Sequence, residues 1–193
     1  MKRNQYTLGK PISFKGNGLH SGIPVTITMR PAPAGSGIIF RRIDLTGAPE
    51  VPAKSEFVTN TLRATTLERG NAKVFTVEHI LSALFALRID NCILEMDAPE
   101  PPVADGGALT FSQMILEAGI VELEEQTDIL TLETSVAVYE DNKFITALPY
   151  DGLRITFTSI NPHPLLGTQM KDFTIDKETY IREIAPSRTI GFT

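Results

Sequence analysis

A carboxylate and an imidazole stand side by side at Glu78 and His79, ahead of the run Ile80-Leu81-Ser82-Ala83-Leu84-Phe85-Ala86-Leu87. An ionised carboxylate accepts protons and a neutral imidazole binds metals, so the pair suits metal-assisted hydrolysis. Val77, Ile80, Leu81, Leu84 and Phe85 recur at helical spacing. That spacing predicts a helix over 76–87 with those five side chains facing the core. Thr76 stands where an N-cap hydroxyl would accept a free backbone N–H. Glu78 and His79 then fall in the first turn, off the apolar stripe. The positive end of the helix dipole favours an anion and disfavours imidazolium, which keeps Glu78 charged and His79 neutral. A plainer alternative is open on these residues alone: a glutamate favoured by the dipole, and a histidine facing solvent or holding a hydrogen bond. A catalytic zinc takes three protein ligands and one open position. The chain holds only three histidines, His20, His79 and His163, and one cysteine, Cys92.

The elements that must position the pair can be taken in order. Residues 5–14 are expected to form a first strand, followed by the tight loop Lys15-Gly16-Asn17-Gly18-Leu19-His20-Ser21-Gly22. Ile23, Val25, Ile27 and Met29 alternate with polar residues and proline, the period of a half-buried strand. A turn over 31–37 leads into strand at Ile38-Ile39-Phe40, and 44–55 is expected to be loop. Thr61 to Leu67 and Lys73 to Thr76 predict a hairpin around Glu68-Arg69-Gly70-Asn71. Cys92 to Met96 reads as a buried strand. Asp105 is a candidate N-cap for a second helix with Phe111, Met114, Ile115 and Ala118 inward and Gly119 at its end. The acidic stretch Val121 to Thr127 is expected to be a solvated linker at a domain boundary. Three strands, 131–139, 143–149 and 153–159, are expected next, joined by hairpins at Glu140-Asp141-Asn142 and Tyr150-Asp151-Gly152. Asn161-Pro162-His163-Pro164 reads as loop. Asp176 caps a short helix over 177–184, which Pro186 ends.

With 193 residues, 42% of them hydrophobic, the chain can bury a sizeable core in one or two domains. A net charge of −5 and the lack of a basic patch interleaved with aromatics argue against nucleic acid as a partner. No apolar stretch follows Met1-Lys2-Arg3, so no signal peptide is expected. The run from Ile80 to Leu87 falls well short of the roughly 20 apolar residues that span a bilayer. Cys92 cannot form an intrachain disulfide; a core position and a cytoplasmic, reducing home are the expectation.

Several segments, in order over essentially the whole chain, carry a family resemblance. They are Gly16-Asn17-Gly18-Leu19-His20-Ser21-Gly22, Thr61-Leu62-Arg63-Ala64-Thr65-Thr66-Leu67, Thr76-Val77-Glu78-His79, Ile89-Asp90-Asn91, and Asp97-Ala98-Pro99-Glu100 with Asp105-Gly106. Leu148-Pro149-Tyr150-Asp151-Gly152, Pro162-His163-Pro164 and Ser187-Arg188-Thr189-Ile190-Gly191-Phe192 follow. The chain resembles the zinc-dependent UDP-3-O-acyl-N-acetylglucosamine deacetylases of lipid A biosynthesis. The resemblance implies an α+β fold, a two-layer sandwich of two similar α+β domains. Residues 1–125 would form the first, carrying Glu78 and His79, and 126–193 the N-terminal part of the second, truncated at its C-terminus. It implies hydrolysis of the sugar's acetamide, releasing acetate.

Carried over residue by residue, His79 matches a ligand of the Zn2+ cofactor and Glu78 the general base. Thr189 matches a threonine that helps hold the oxyanion. Phe192 matches an aromatic near the sugar and nucleotide, Leu62 lies in a segment bordering the site, and His20 matches a histidine near it. Ile190 departs from the phenylalanine common at its position. Lys143 is a candidate substrate contact; like His163, it reads otherwise as exposed or loop-anchoring. The family's other two zinc ligands and its general-acid histidine come from downstream of the Arg-Thr-x-Gly-Phe segment and are not matched here. The expectation is therefore the N-terminal two-thirds of such an enzyme, inactive alone and completed by a fused or separate C-terminal segment, sometimes with an added dehydratase. A sugar-nucleotide-binding scaffold without chemistry is the alternative.

Overall fold

The computed structural model describes residues 1–189. Its centre is a five-stranded mixed sheet built around β9 (Cys92–Met96). The order is β2 (Ile12–Asn17), β3 (Pro24–Pro31), β9, β4 (Ile38–Arg42) and β5 (Glu50–Pro52). All neighbours are antiparallel except β4 and β9. Val25, Ile27 and Met29 of β3 are buried, as their alternation predicts, and so are Phe40, Val51, Cys92, Leu94 and Met96. Ile23 lies before the strand and is exposed. The expected strand over 5–14 is two strands. β1 (Lys2–Leu8) ends before Gly9-Lys10-Pro11, where Pro11 has no N–H to give to a ladder, and β2 begins afterwards in a different sheet. The loop expected over 44–55 contains the short β5.

β6 (Val58–Asn60), β7 (Thr66–Arg69) and β8 (Ala72–Phe75) form a three-stranded meander. The predicted hairpin is present, although its first strand begins at Thr66 and 61–65 is loop, with Gly70-Asn71 between the paired Arg69 and Ala72 and Gly70 at φ +60°. Two helices follow: α1 (Glu78–Ala86) and α2 (Leu109–Ala118). They contribute Ile80, Ala83, Leu84, Phe111, Met114, Ile115 and Ala118 to the same core as the inward residues of β3, β4 and β9. Burying one such aliphatic side chain stabilises the fold by about 1.5–3 kcal/mol.

Three helix expectations need correction. The stripe on α1 is rotated: Ala83 and Leu87 are buried, whereas Phe85 is 68% exposed. Thr76 does not cap the helix. It has φ +58° and sends its hydroxyl elsewhere, leaving Val77 at the N-cap position without a side-chain bond. α2 begins at Leu109, not at Asp105, because Gly106 takes φ +86°. The Asp105 carboxylate still accepts from the Thr110 backbone N–H and hydroxyl. Gly119 closes α2 at φ +79°, as expected.

The acidic stretch read as a linker is strand β10 (Ile120–Asp128), paired antiparallel with β1. Its glutamates are exposed, but the backbone is committed to a ladder. β11 (Val136–Glu140) and β12 (Lys143–Ala147) make the predicted hairpin, with Asp141 at φ +50°. No hairpin forms at Tyr150-Asp151-Gly152. Pro149 lies just past the end of β12, and β13 (Arg154–Ile160) pairs instead with β14 (Thr168–Thr174), a strand absent from the sequence reading. Asp176 caps the last helical segment by accepting from Thr179 N–H at 2.7 Å. That segment is α3 (Lys177–Thr179), continued by a wider π-type turn over Tyr180–Ile184. Tyr180 and Ala185 are buried in the core of the first half.

Candidate active site

The site is built at the start of α1, where the backbone makes an unusual entry. Thr76 is β-branched and sits at positive φ, a strained combination that needs compensation nearby. Its hydroxyl donates to Glu100 Oε1 at 2.8 Å. Glu100 is fully buried. It also accepts from the backbone N–H of His20 at 3.0 Å and of Ser21 at 2.8 Å. Burial works to raise the Glu100 pKa, but the hydrogen bonds from His20, Ser21 and Thr76 outweigh it and hold the carboxyl below its ordinary value. Glu100 is itself clamped: Phe75 N–H donates to Pro99 O, and Val103 N–H donates to Asn17 O. A Cβ at Gly18 would run into the Glu100 carboxylate and the Ser21 hydroxyl, so this loop position needs glycine.

From that entry, Glu78 opens the helix and His79 follows it, both half-buried. Glu78 Oε2 accepts from Thr65 N–H at 3.1 Å. The carboxylate is thereby joined to the loop between β6 and β7. Leu62 belongs to the same loop and is 80% exposed beside it. Asn60 Oδ1 accepts from Leu62 N–H at 2.7 Å, and Arg63 at φ +63° turns the chain back. One turn along α1, the Ser82 hydroxyl meets Tyr180 OH at 2.8 Å. Ser82 thus receives another element on this face of α1. Burial pushes the Tyr180 phenol up, and bonds to Ser82 and Ser112 pull it part of the way back.

The segment after Tyr180 docks on the turn that opens α2. Ala108 N–H donates to Ala185 O at 3.0 Å, and Thr189 N–H donates to Gly106 O at 2.8 Å. A Cβ at Gly107 would lie 2.7 Å from Ser187 O, so glycine permits this approach. Thr189 is therefore held on the loop before α2, and α2 packs on α1.

Of the residues singled out from sequence, Glu78 and His79 open α1, the loops that carry Leu62 and His20 are tied to that entry through Thr65 and Glu100, and Thr189 reaches the opening of the neighbouring helix. Lys143 lies on the exposed β11–β12 hairpin, opposite Glu140. Among the described residues, no hydrogen bond or ion pair joins it to Glu78 or His79. His163 anchors its own loop: its N–H donates to Asn161 Oδ1 and its Nδ1 accepts from Leu165 N–H. Phe192 and Ile190 lie outside the described residues. Among the described residues, no three His, Cys, Asp or Glu side chains converge as a metal site. His79 is one nitrogen donor, and this donor set does not by itself fit a bound metal. Glu100, Thr65 and Tyr180 are what the sequence reading missed. Glu100 reaches partners 24 and about 80 residues away. Its local signals are a carboxylate set among Pro99, Pro101 and Pro102 and a place in one of the segments that carry the family resemblance.

A sequence model of the LpxC family, UDP-3-O-acyl N-acetylglycosamine deacetylase, matches residues 5–193. A UDP-3-O-acyl-N-acetylglucosamine deacetylase of Legionella pneumophila is 42% identical over 190 residues, covering 97% of this chain and 62% of the relative. One from Myxococcus xanthus is 42% identical over 189 residues, covering 98% of this chain and 60% of the relative. A bifunctional enzyme LpxC/FabZ of Chlorobaculum tepidum is 43% identical over 192 residues, covering 98% of this chain and 41% of the relative. The chain thus spans between 41% and 62% of the length of these relatives.

Proposed function

The chain belongs to the UDP-3-O-acyl N-acetylglycosamine deacetylase family, and from that premise we propose that the intact protein hydrolyses the N-acetyl group of UDP-3-O-acyl-N-acetylglucosamine in lipid A biosynthesis. The observation that carries the reading is the placement of Glu78 and His79 in the first turn of α1, with the Glu78 carboxylate oriented by Thr65 N–H. Glu78 takes the proton of the attacking water. Thr189 donates its hydroxyl to the oxyanion that forms on the acetamide carbonyl; such a donor is worth about 3 kcal/mol of barrier. Leu62, exposed on the adjoining loop, and His20 border the site, Phe192 lies near the sugar and nucleotide, and Lys143 is a further substrate contact. Acetate and the free amine are the products.

The enzyme is proposed to depend on zinc, with His79 supplying one ligand. A catalytic zinc needs further protein ligands, and these would come from outside the described residues, on a fused or separate C-terminal segment. The two-layer sandwich, with a first domain over 1–125 and the beginning of a second over 126–193, belongs to the same proposal. So does a cytoplasmic location, which the lone, buried Cys92 favours. Among the described residues, no helix is long and apolar enough to cross a membrane.

The test is deacetylation by the full-length enzyme. Glu78→Gln is expected to lower kcat by about a hundredfold or more, and wild-type-like turnover would sink the base assignment. The incomplete donor set favours a second reading for the 193 residues alone, a sugar-nucleotide-binding scaffold without chemistry. Stoichiometric zinc and measurable hydrolysis by that chain would refute it.

A further inference from the structure

Glu100 is the fully buried carboxylate for which the proposed reaction has no use. Its donors come from two places. His20 and Ser21 present backbone N–H groups from the loop after β2, and Thr76 presents its hydroxyl from the entry to α1. Those two places carry His20 and the Glu78–His79 pair. A buried carboxylate costs more to desolvate than an apolar side chain of similar size, so holding the chain together does not by itself call for one. What the charge adds is direction: bonds to an ionised acceptor are shorter and stronger than neutral ones. Here they hold a β-branched residue at φ +58° two positions before Glu78. Strain of this kind persists only where the surroundings over-determine it. The carboxylate's own place is set from both sides by the Phe75–Pro99 and Val103–Asn17 backbone bonds.

We propose that Glu100 is a positioning residue for the reaction, holding the His20 loop and the start of α1 in one geometry so that His20, Glu78 and His79 meet the substrate together. The kinetic part of this proposal rests on the deacetylase reading above.

The test uses the full-length protein with three substitutions: Thr76→Val, Thr76→Ser and Glu100→Gln. Thr76→Val removes one bond to Glu100 at nearly constant volume and is expected to lower kcat about tenfold with little change in KM. Thr76→Ser keeps the hydroxyl and is expected to retain wild-type kcat. Glu100→Gln is expected to lower kcat further and to move the ring resonances of His20 and His79 in proton–carbon NMR spectra. Wild-type kcat per folded molecule in Thr76→Val and Glu100→Gln, with both rings unmoved, would leave Glu100 a structural residue and overturn the proposal. If Glu100→Gln does not fold, the two Thr76 variants decide alone, equal kcat in both being the contrary result. A full-length wild-type protein without deacetylase turnover would sink the deacetylase reading. The histidine rings would still judge Glu100, and rings unmoved in Glu100→Gln would contradict it.

Discussion

Glu100 keeps its negative charge without solvent because three donors replace the water it has lost. Its folded pKa lies below the unfolded one, so its contribution to stability is full above the ordinary glutamate value of about 4.3 and is lost as pH falls through the depressed folded value. In urea titrations, Glu100→Gln is therefore expected to cost about 1–3 kcal/mol at neutral pH. The gap to wild type should narrow below about pH 4, and a gap independent of pH would contradict the linkage. Cys92 illustrates the opposite case. Burial pushes its thiol up to about 12, outweighing a backbone hydrogen bond at Arg30 that lowers it. It is expected to resist thiol reagents at pH 8 in the native protein and to react in denaturant, read by absorbance with a chromogenic disulfide. At this scale the sequence was readable where a residue's chemistry is local. Glu78 and His79 announce themselves by adjacency, and Cys92 by its apolar neighbours. Glu100 does not, because its partners at His20 and Thr76 become neighbours only when β2, β8 and the 99–103 segment fold together.

At the scale of elements, α1 shows how tertiary packing overrides a periodic pattern. Ile80 and Leu84 face inward as their spacing requires, but the core takes Ala83 and Leu87 in place of Phe85. Small Ala83 permits close contact, and Ser82 receives Tyr180 on the neighbouring face. Ile80→Ala is expected to destabilise by about 2–5 kcal/mol. Phe85→Ser should stay within about 0.5 kcal/mol, as exposed positions do. Equal costs in thermal or urea melts would mean that the stripe faces the other way. Hairpins with two-residue turns, at Gly70-Asn71 and Asp141-Asn142, were legible because the turn chemistry is local. β10 was hidden by its acidic composition: an exposed strand paired with β1 reads like a solvated linker until its partner is known. β14 was missed because it follows a long loop and pairs back onto β13.

For the molecule as a whole, the first half closes a contiguous core, whereas the strands of the second half leave many large apolar side chains in solvent. Val138, Tyr139, Phe144, Ile145, Phe157, Ile160 and Met170 are all more than half exposed. Exposed apolar surface on this scale favours association. The 193-residue chain is expected to self-associate with rising concentration, read by light scattering after size exclusion. A monomer across micromolar concentrations with a cooperative melt at ordinary temperature would count against that. The individual strands and helices were legible from their periods, whereas the α+β class came with the family resemblance. The docking of Tyr180 and Ala185 into the first half was not, because it joins residues about 70–100 positions apart. The entry to α1 is proposed to be one corner of a zinc-dependent deacetylase site. This assignment is tested most directly by zinc content and acetate release in the full-length protein, wild type against His79→Ala. About one zinc per wild-type chain with turnover is expected, and loss of both in the variant. Full zinc and turnover in His79→Ala would contradict it.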